Sequence, residues 1–262
     1  MKLIKSAAIA FSMYSRIPMP QVRWDEAYMK HVLCFLPLVG IIVGGLEVGW
    51  YCAAQVLGVT GWLFAAIAAI IPVVVTGGIH LDGLMDTNDA LASFGEPEKR
   101  HAILKDPHSG AFAVIHCCLY FLTTAGCYAH VYETGDWKDI AVVAAGYVVS
   151  RAVCALCVVG LPCAKDSGLA YIFKSGAGKR TVAAVQILCL LAAAGILFWL
   201  SPVALAFFAV LVVAAVIHFR VTILKKFAGI TGDLAGFILT RVELLAGLAA
   251  VGVLLLKGVL AV

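Results

Sequence analysis

A series of long, uninterrupted apolar runs restricts this chain more than any other feature. They lie at about Val32–Leu57, Trp62–Ile79, Ala111–Val131, Ile140–Leu161, Val182–Leu200, Val203–Phe219 and Leu244–Val262. A helix needs about 20 predominantly apolar residues to cross the hydrocarbon of a bilayer. Inside lipid the backbone finds no water, so each run must satisfy its own N–H and C=O groups as a helix. A membrane barrel would alternate apolar and polar residues instead. The expectation is an all-α, polytopic integral membrane protein with about seven transmembrane helices. Composition agrees, with 63% hydrophobic and 13% charged residues, against about 45–50% and about 25% in soluble domains. Ser201-Pro202 separates two runs as a turn or a kink. Nearly all of residues 1–262 is run or connector, so the chain reads as a single transmembrane helical domain. Its expected surroundings are the lipid bilayer, and nucleic acid is not an expected partner.

The basic residues orient the runs. With the N-terminus inside, 16 of the 19 Lys and Arg fall on the cytoplasmic side, Lys138 and Lys257 fall outside, and Arg151 lies within a span. That bias obeys the positive-inside rule and favours an odd number of spans with a cytoplasmic N-terminus. Three inside segments are long, at about 80–110, 162–181 and 220–243, and long connections in a compact protein are usually functional. The catalytic loops are expected there. Leu3–Met13 has no cleavage site after it and reads as a retained interfacial or re-entrant helix. The nine cysteines show no paired metal spacing and read as small apolar residues. Glu47 and Arg151 lie inside runs and should face the bundle interior, pairing with each other.

Six of the 15 acidic residues lie between His80 and Gly110. Asp82, Asp86 and Asp89 stand at i, i+4 and i+7, within about 60° of one another on a helix. Three carboxylates on one face repel, and a hard cation with oxygen ligands would offset the repulsion. Asp82 and Asp89 are about 10.5 Å apart along a straight axis. The row therefore suits two Mg²⁺ ions, or one ion at one end with the remaining carboxylate as general base. A solvated acidic face is the plainer alternative. Against it, the row closes an apolar run and Lys99, Arg100 and Lys105 follow, giving acids for metal and bases for phosphate, as in phosphoryl transfer. His80 reads equally as a ligand or as a residue capping the span. Ser175–Arg180 ends like a phosphate loop, but Phe173 stands where its first glycine belongs. Gly229–Gly236 is flexible and precedes a helix; it offers backbone N–H groups to an anion, or Asp233 is simply a cap.

The block Gly78-Ile79-His80-Leu81-Asp82-Gly83-Leu84-Met85-Asp86-Thr87-Asn88-Asp89-Ala90-Leu91 resembles the signature of the cobalamin synthase family, also called adenosylcobinamide-GDP ribazoletransferase or cobalamin-5′-phosphate synthase. Three more blocks are similar to the family's, in order: Arg16-Ile17-Pro18-Met19-Pro20, Arg100 with Ile103-Leu104-Lys105-Asp106, and Gly229-Ile230-Thr231-Gly232-Asp233. One stretch departs from it, since Pro107-His108-Ser109-Gly110 replaces the family's arginine-containing run. The resemblance implies that α-ribazole or its 5′-phosphate attacks the diphosphate of adenosylcobinamide-GDP, releasing GMP and forming adenosylcobalamin or its 5′-phosphate. It implies Mg²⁺ held by Asp82, Asp86 and Asp89, with Asp89 as candidate base and His80 beside them. Lys105 and Arg100 first, then Arg16, Asp106, Asp233 and Lys225, are the candidate substrate-binding residues. For Lys225 and Lys226, anchoring at a span end is the stronger reading. The implied location is the bacterial inner membrane with the active site on the cytoplasmic face, with room for a homo-oligomer or association with other corrinoid-pathway enzymes. Two other classes compete. CDP-alcohol phosphotransferases share Asp82-Gly83 but need an Ala-Arg pair that is missing here. A transporter would show broken helices at mid-membrane and repeated halves, and no repeat is visible.

Overall fold

The structure, a computed structural model, describes residues 2–260. These form α1 (Lys2–Tyr14), α2 (Glu26–Met29), a 3-10 turn (Val32–Phe35), α3 (Leu36–Leu57), α4 (Gly61–Thr76), α5 (Ile79–Ala92), α6 (Pro97–Ile103) and α7 (Ala111–Thr134). The second half adds α8 (Trp137–Gly160), α9 (Leu169–Gly176), α10 (Lys179–Leu200), α11 (Pro202–Phe227) and α12 (Gly232–Leu260). Among the described residues the only extended pairing is a lone parallel bridge between Cys163 and Ile230. Six helices are long and apolar enough to cross a membrane, and a seventh crossing arises if α4 and α5 count together. The expected all-α, multi-span architecture is what is found.

The α4–α5 pair places the acidic row. The two helices meet at 97°. Gly77 and Gly78 take φ of 67° and 82°, a region that a Cβ makes costly. Gly78 N–H closes the last turn of α4 on Val73 O at 3.0 Å. With 14 residues, α5 is about 21 Å long, too short to cross about 30 Å of hydrocarbon. It is a non-spanning helix set at the end of α4.

Four segments gather at that same end. Arg16 N–H bonds Val75 O at 2.8 Å, Gly178 N–H bonds Lys30 O at 3.0 Å, and Ile230 N–H bonds Pro162 O at 2.8 Å. The N-terminal segment, the α4–α5 turn, the loop after α8 and the break between α11 and α12 are thereby tied together. α8 runs through the middle of the bundle, packed by α3, α10 and α12, with Ala152, Ala155 and Arg151 fully buried.

Several expectations change. Segment 220–243 is no loop: α11 continues to Phe227 and α12 begins at Gly232, leaving only residues 228–231 outside helix. The apolar run marks the part of a helix in lipid, whereas the helix itself extends through the exposed Arg220, Lys225 and Lys226. Segments 80–110 and 162–181 likewise contain α5, α6 and α9. Arg151 pairs with Glu243, not with Glu47. The earlier start of α12 carries Glu243 to the level of Arg151, while Glu47 accepts from Tyr147 Oη at 3.4 Å. Ser201-Pro202 is a turn: Ser201 Oγ caps α11 by accepting from Ala204 N–H at 3.2 Å, and Pro202 opens that helix. Leu3–Met13 lies within α1, whose Ile9 and Ala10 are buried.

Candidate active site

α5 lies directly on the first turns of α12, and glycine makes this approach available. A Cβ on Gly83 would stand 2.5 Å from Asp233 O, and one on Gly236 would stand 3.1 Å from His80 O. The contact brings Asp82 and Asp86 of α5 together with Asp233 of α12. Asp82 is exposed, and Asp86 and Asp233 are half-buried. Partial burial, then the charges of Asp82, Asp233 and Asp89, push the Asp86 carboxyl up to about 6. Among the described residues ion pairs join only His108 with Asp106, Arg151 with Glu243 and Lys257 with Asp139. The α5–α12 carboxylates are thus a group of anions without a countercharge from the protein.

Asp89 stands apart from the expected row. Its two carboxylate oxygens accept from Gly110 N–H at 2.5 Å and Ala113 N–H at 2.9 Å. Both donors lie at the start of α7, where a negative charge also complements the helix dipole. The spacing placed Asp89 on the same face as Asp82 and Asp86, but a residue near the end of a short helix is also the one that meets the next helix. His80 is buried, its ring stacked on Tyr14 at 6.3 Å and 13°, and its Nδ1 has no partner among the described residues.

Two cavities meet at Asp233. The outer one, about 310 Å³, is lined by His101, Lys105, Lys165, Thr231 and Asp233 among others. The inner one, about 100 Å³, is lined by Tyr14, His80, Asp82, Phe173 and Asp233 among others. Ala170 and Gly232 border both. Lys105 lines the outer cavity together with Asp233. Lys165, Thr231, Tyr14 and Phe173 were not anticipated. Lys165 owes its position to the Cys163–Ile230 bridge, with Ala164 N–H on Ile230 O at 3.1 Å, a pairing between distant loops that leaves no local signal. Only its charge on the basic side pointed to it.

Four expected substrate contacts line neither cavity. Arg100 donates to Ser93 O at 3.3 Å and Lys226 O at 3.4 Å, fastening α6 to the ends of α5 and α11. Arg16 packs on the Gly77 turn, its Nε 2.7 Å from where a Gly77 Cβ would be. Asp106 is exposed and accepts from His108 N–H at 2.9 Å. Lys225 is exposed at the end of α11.

The donor set is compatible with a hard divalent cation. Among the described residues no group of three or more His, Cys, Asp or Glu encloses a metal position. Mg²⁺ does not require such a cage, since it is usually bound through one or two carboxylates, water and substrate phosphate. Uncompensated carboxylates next to a lysine-lined cavity meet that description.

Known proteins give a consistent picture. The cobalamin-5-phosphate synthase family matches residues 6–251. A curated relative from Lachnoclostridium phytofermentans, an adenosylcobinamide-GDP ribazoletransferase, is 39% identical over 96% of this chain and 95% of its own. One of the same description from Clostridium perfringens strain 13 is 32% identical over 95% of this chain and 98% of its own. Another, from Pseudomonas savastanoi pv. phaseolicola, is 34% identical over 81% of this chain and 84% of its own. No solved structure matches the chain. On the strength of a match along almost its whole length, the chain belongs to the cobalamin-5-phosphate synthase family.

Proposed function

We propose that this protein completes the nucleotide loop of cobalamin. It joins α-ribazole, or its 5′-phosphate, to adenosylcobinamide-GDP and releases GMP. It does so as a multi-pass protein of the bacterial inner membrane, with Asp82, Asp86 and Asp233 on the cytoplasmic face. The observation that carries this reading is the set of unpaired carboxylates, brought together by the Gly83–Asp233 approach, beside Lys105 and Lys165.

Lys105 and Lys165 bind the diphosphate through their ammonium groups, and Thr231 adds a hydroxyl. Asp82, with Asp86 or Asp233, would hold Mg²⁺, which when bound neutralises the diphosphate and the departing phosphate. Asp86 suits the proton acceptor, because a carboxyl near pH 6 takes a hydroxyl proton more readily than an ordinary aspartate. Asp89, with both oxygens already accepting backbone N–H groups, is less suited to that role than expected. The acceptor oxygen attacks the phosphorus bonded to the corrinoid side, the bond to the GMP oxygen breaks, and the proton passes to the Asp86 carboxylate.

The direct test is purified protein in detergent or vesicles with Mg²⁺, adenosylcobinamide-GDP and α-ribazole. GMP and an adenosylcobalamin product should form together. Asp82→Asn should reduce turnover by about a hundredfold or more while the protein still inserts and purifies normally. Near-normal turnover in that variant would remove Asp82 from the site, and no GMP from the unaltered protein would remove the reading altogether.

A further inference from the structure

The inner cavity is unlike the outer one. Of the side chains that line it, only Tyr14, His80, Asp82 and Asp233 carry nitrogen or oxygen; the rest of the wall is carbon and sulfur. Its aromatic side is a cluster of rings. Phe173 packs on Tyr14 at 5.6 Å and on Trp24 at 5.8 Å, and Tyr14 stacks on His80. Phe173 is buried at 2% exposure, although it belongs to α9, outside the spanning helices. One polar atom of this wall, His80 Nδ1, is buried and unpartnered. Asp233 marks the junction with the lysine-lined cavity, and Asp82 lines the inner side.

Resting on the functional reading above, we propose that the inner cavity is the acceptor subsite. It receives the flat aromatic base of the ribazole nucleoside, with the ribose directed toward Asp82 and Asp233. Volume and polarity discriminate among the groups the reaction brings in. About 100 Å³ of cavity, small beside the roughly 300–1,000 Å³ of whole small-molecule sites, suits one flat ring system with the sugar left toward the outer cavity. A corrin ring with its amide side chains is much larger than a nucleoside and would not be enclosed. Guanine needs several donors and acceptors met along its edge, and away from the carboxylates of Asp82 and Asp233 the side chains of the wall offer only those of Tyr14 and His80. A benzimidazole-type base carries one free ring nitrogen and two faces for stacking. Tyr14 and Phe173 supply the aromatic wall, and His80, whose Nδ1 has no partner among the described residues, is the polar side chain beside them for that nitrogen. The base is thus a specificity element at the end of the acceptor remote from the chemistry.

The test separates acceptor from donor. Phe173→Ala should raise KM for α-ribazole by about tenfold while KM for adenosylcobinamide-GDP stays within about twofold. Val158 also lines the cavity, and Val158→Phe should narrow it. That variant should discriminate against the dimethylated base of α-ribazole more than against an unsubstituted benzimidazole riboside. In equilibrium dialysis with the unaltered protein, the unsubstituted riboside should displace α-ribazole and GMP should not. The inference is overturned by GMP displacing α-ribazole, by a KM change confined to adenosylcobinamide-GDP, or by equal loss with both ribosides. The dialysis holds even if a variant does not fold. Each of these results leaves the transferase reading standing, which fails only if the unaltered protein releases no GMP.

Discussion

At the residue scale, Asp86 shows how a surface-facing carboxyl becomes a functional group. Its carboxyl sits at about 6 because burial and three neighbouring aspartates all disfavour its charge. The sign follows directly. Above that pH Asp86 is an anion able to hold a cation or accept a proton, and below it the group is neutral. Turnover is therefore expected to fall as pH drops through about 6, with added Mg²⁺ shifting the acid limb downward because the cation favours the charged form. Asp86→Asn should leave a low residual rate nearly independent of pH from about pH 5 to 7. A pH–rate profile of both proteins checks this; a limb preserved in the variant would assign the titration to another group. Asp82 and Asp86 were legible from spacing alone. Their partner Asp233 was identified only within a distant glycine-rich block, because nothing in a linear sequence reports that Gly83 and Gly236 let two backbones touch.

At the element scale, Asp89 determines how α5 meets α7. Losing its two backbone hydrogen bonds leaves the start of α7 uncapped. Asp89→Ala should cost about 0.5–2 kcal/mol of stability, read as a lower thermal midpoint in detergent, and Asp89→Asn should recover part of it. A larger loss of turnover than of stability in both variants would return Asp89 to the chemistry. The helices themselves were largely readable, since an apolar run in lipid has only one way to satisfy its backbone. Their ends were not. Hydrophobicity stops at the lipid boundary, whereas α11 and α12 continue as helix beyond it, and α6 and α9, of 7 and 8 residues, are too brief for a periodic pattern to show. Arg100 illustrates the difference: a base near an acidic motif suggests a phosphate ligand, and in this structure its guanidinium donates to the Ser93 and Lys226 carbonyls across three elements.

At the scale of the whole molecule, a polar pair in the apolar interior fixes how the central helices register. Arg151 is fully buried and pairs with the almost fully buried Glu243. Removing one partner leaves the other charge without compensation, so Arg151→Met should destabilise by about 3–5 kcal/mol, and adding Glu243→Leu should recover most of it. Thermal unfolding of the single and double variants measures the difference; equal loss in both would show that packing, not charge, is at stake. The direction of the bundle is tested separately. If α4 with α5 completes a seventh crossing from an inside N-terminus, alkaline phosphatase fused to the C-terminus should be active and a fluorescent protein dark. The opposite pattern would mean that α4 and α5 do not complete a crossing.

Because Asp233 follows Asp82 by about 150 residues, a ribosome must synthesise six further helices and the start of α12 before Asp82 and Asp86 acquire their neighbour. A nascent chain stalled after α11 would already expose the signature aspartates, yet it would lack a complete centre. On the proposed assignment of these three aspartates, a chain released before α12 is expected to insert yet show no turnover.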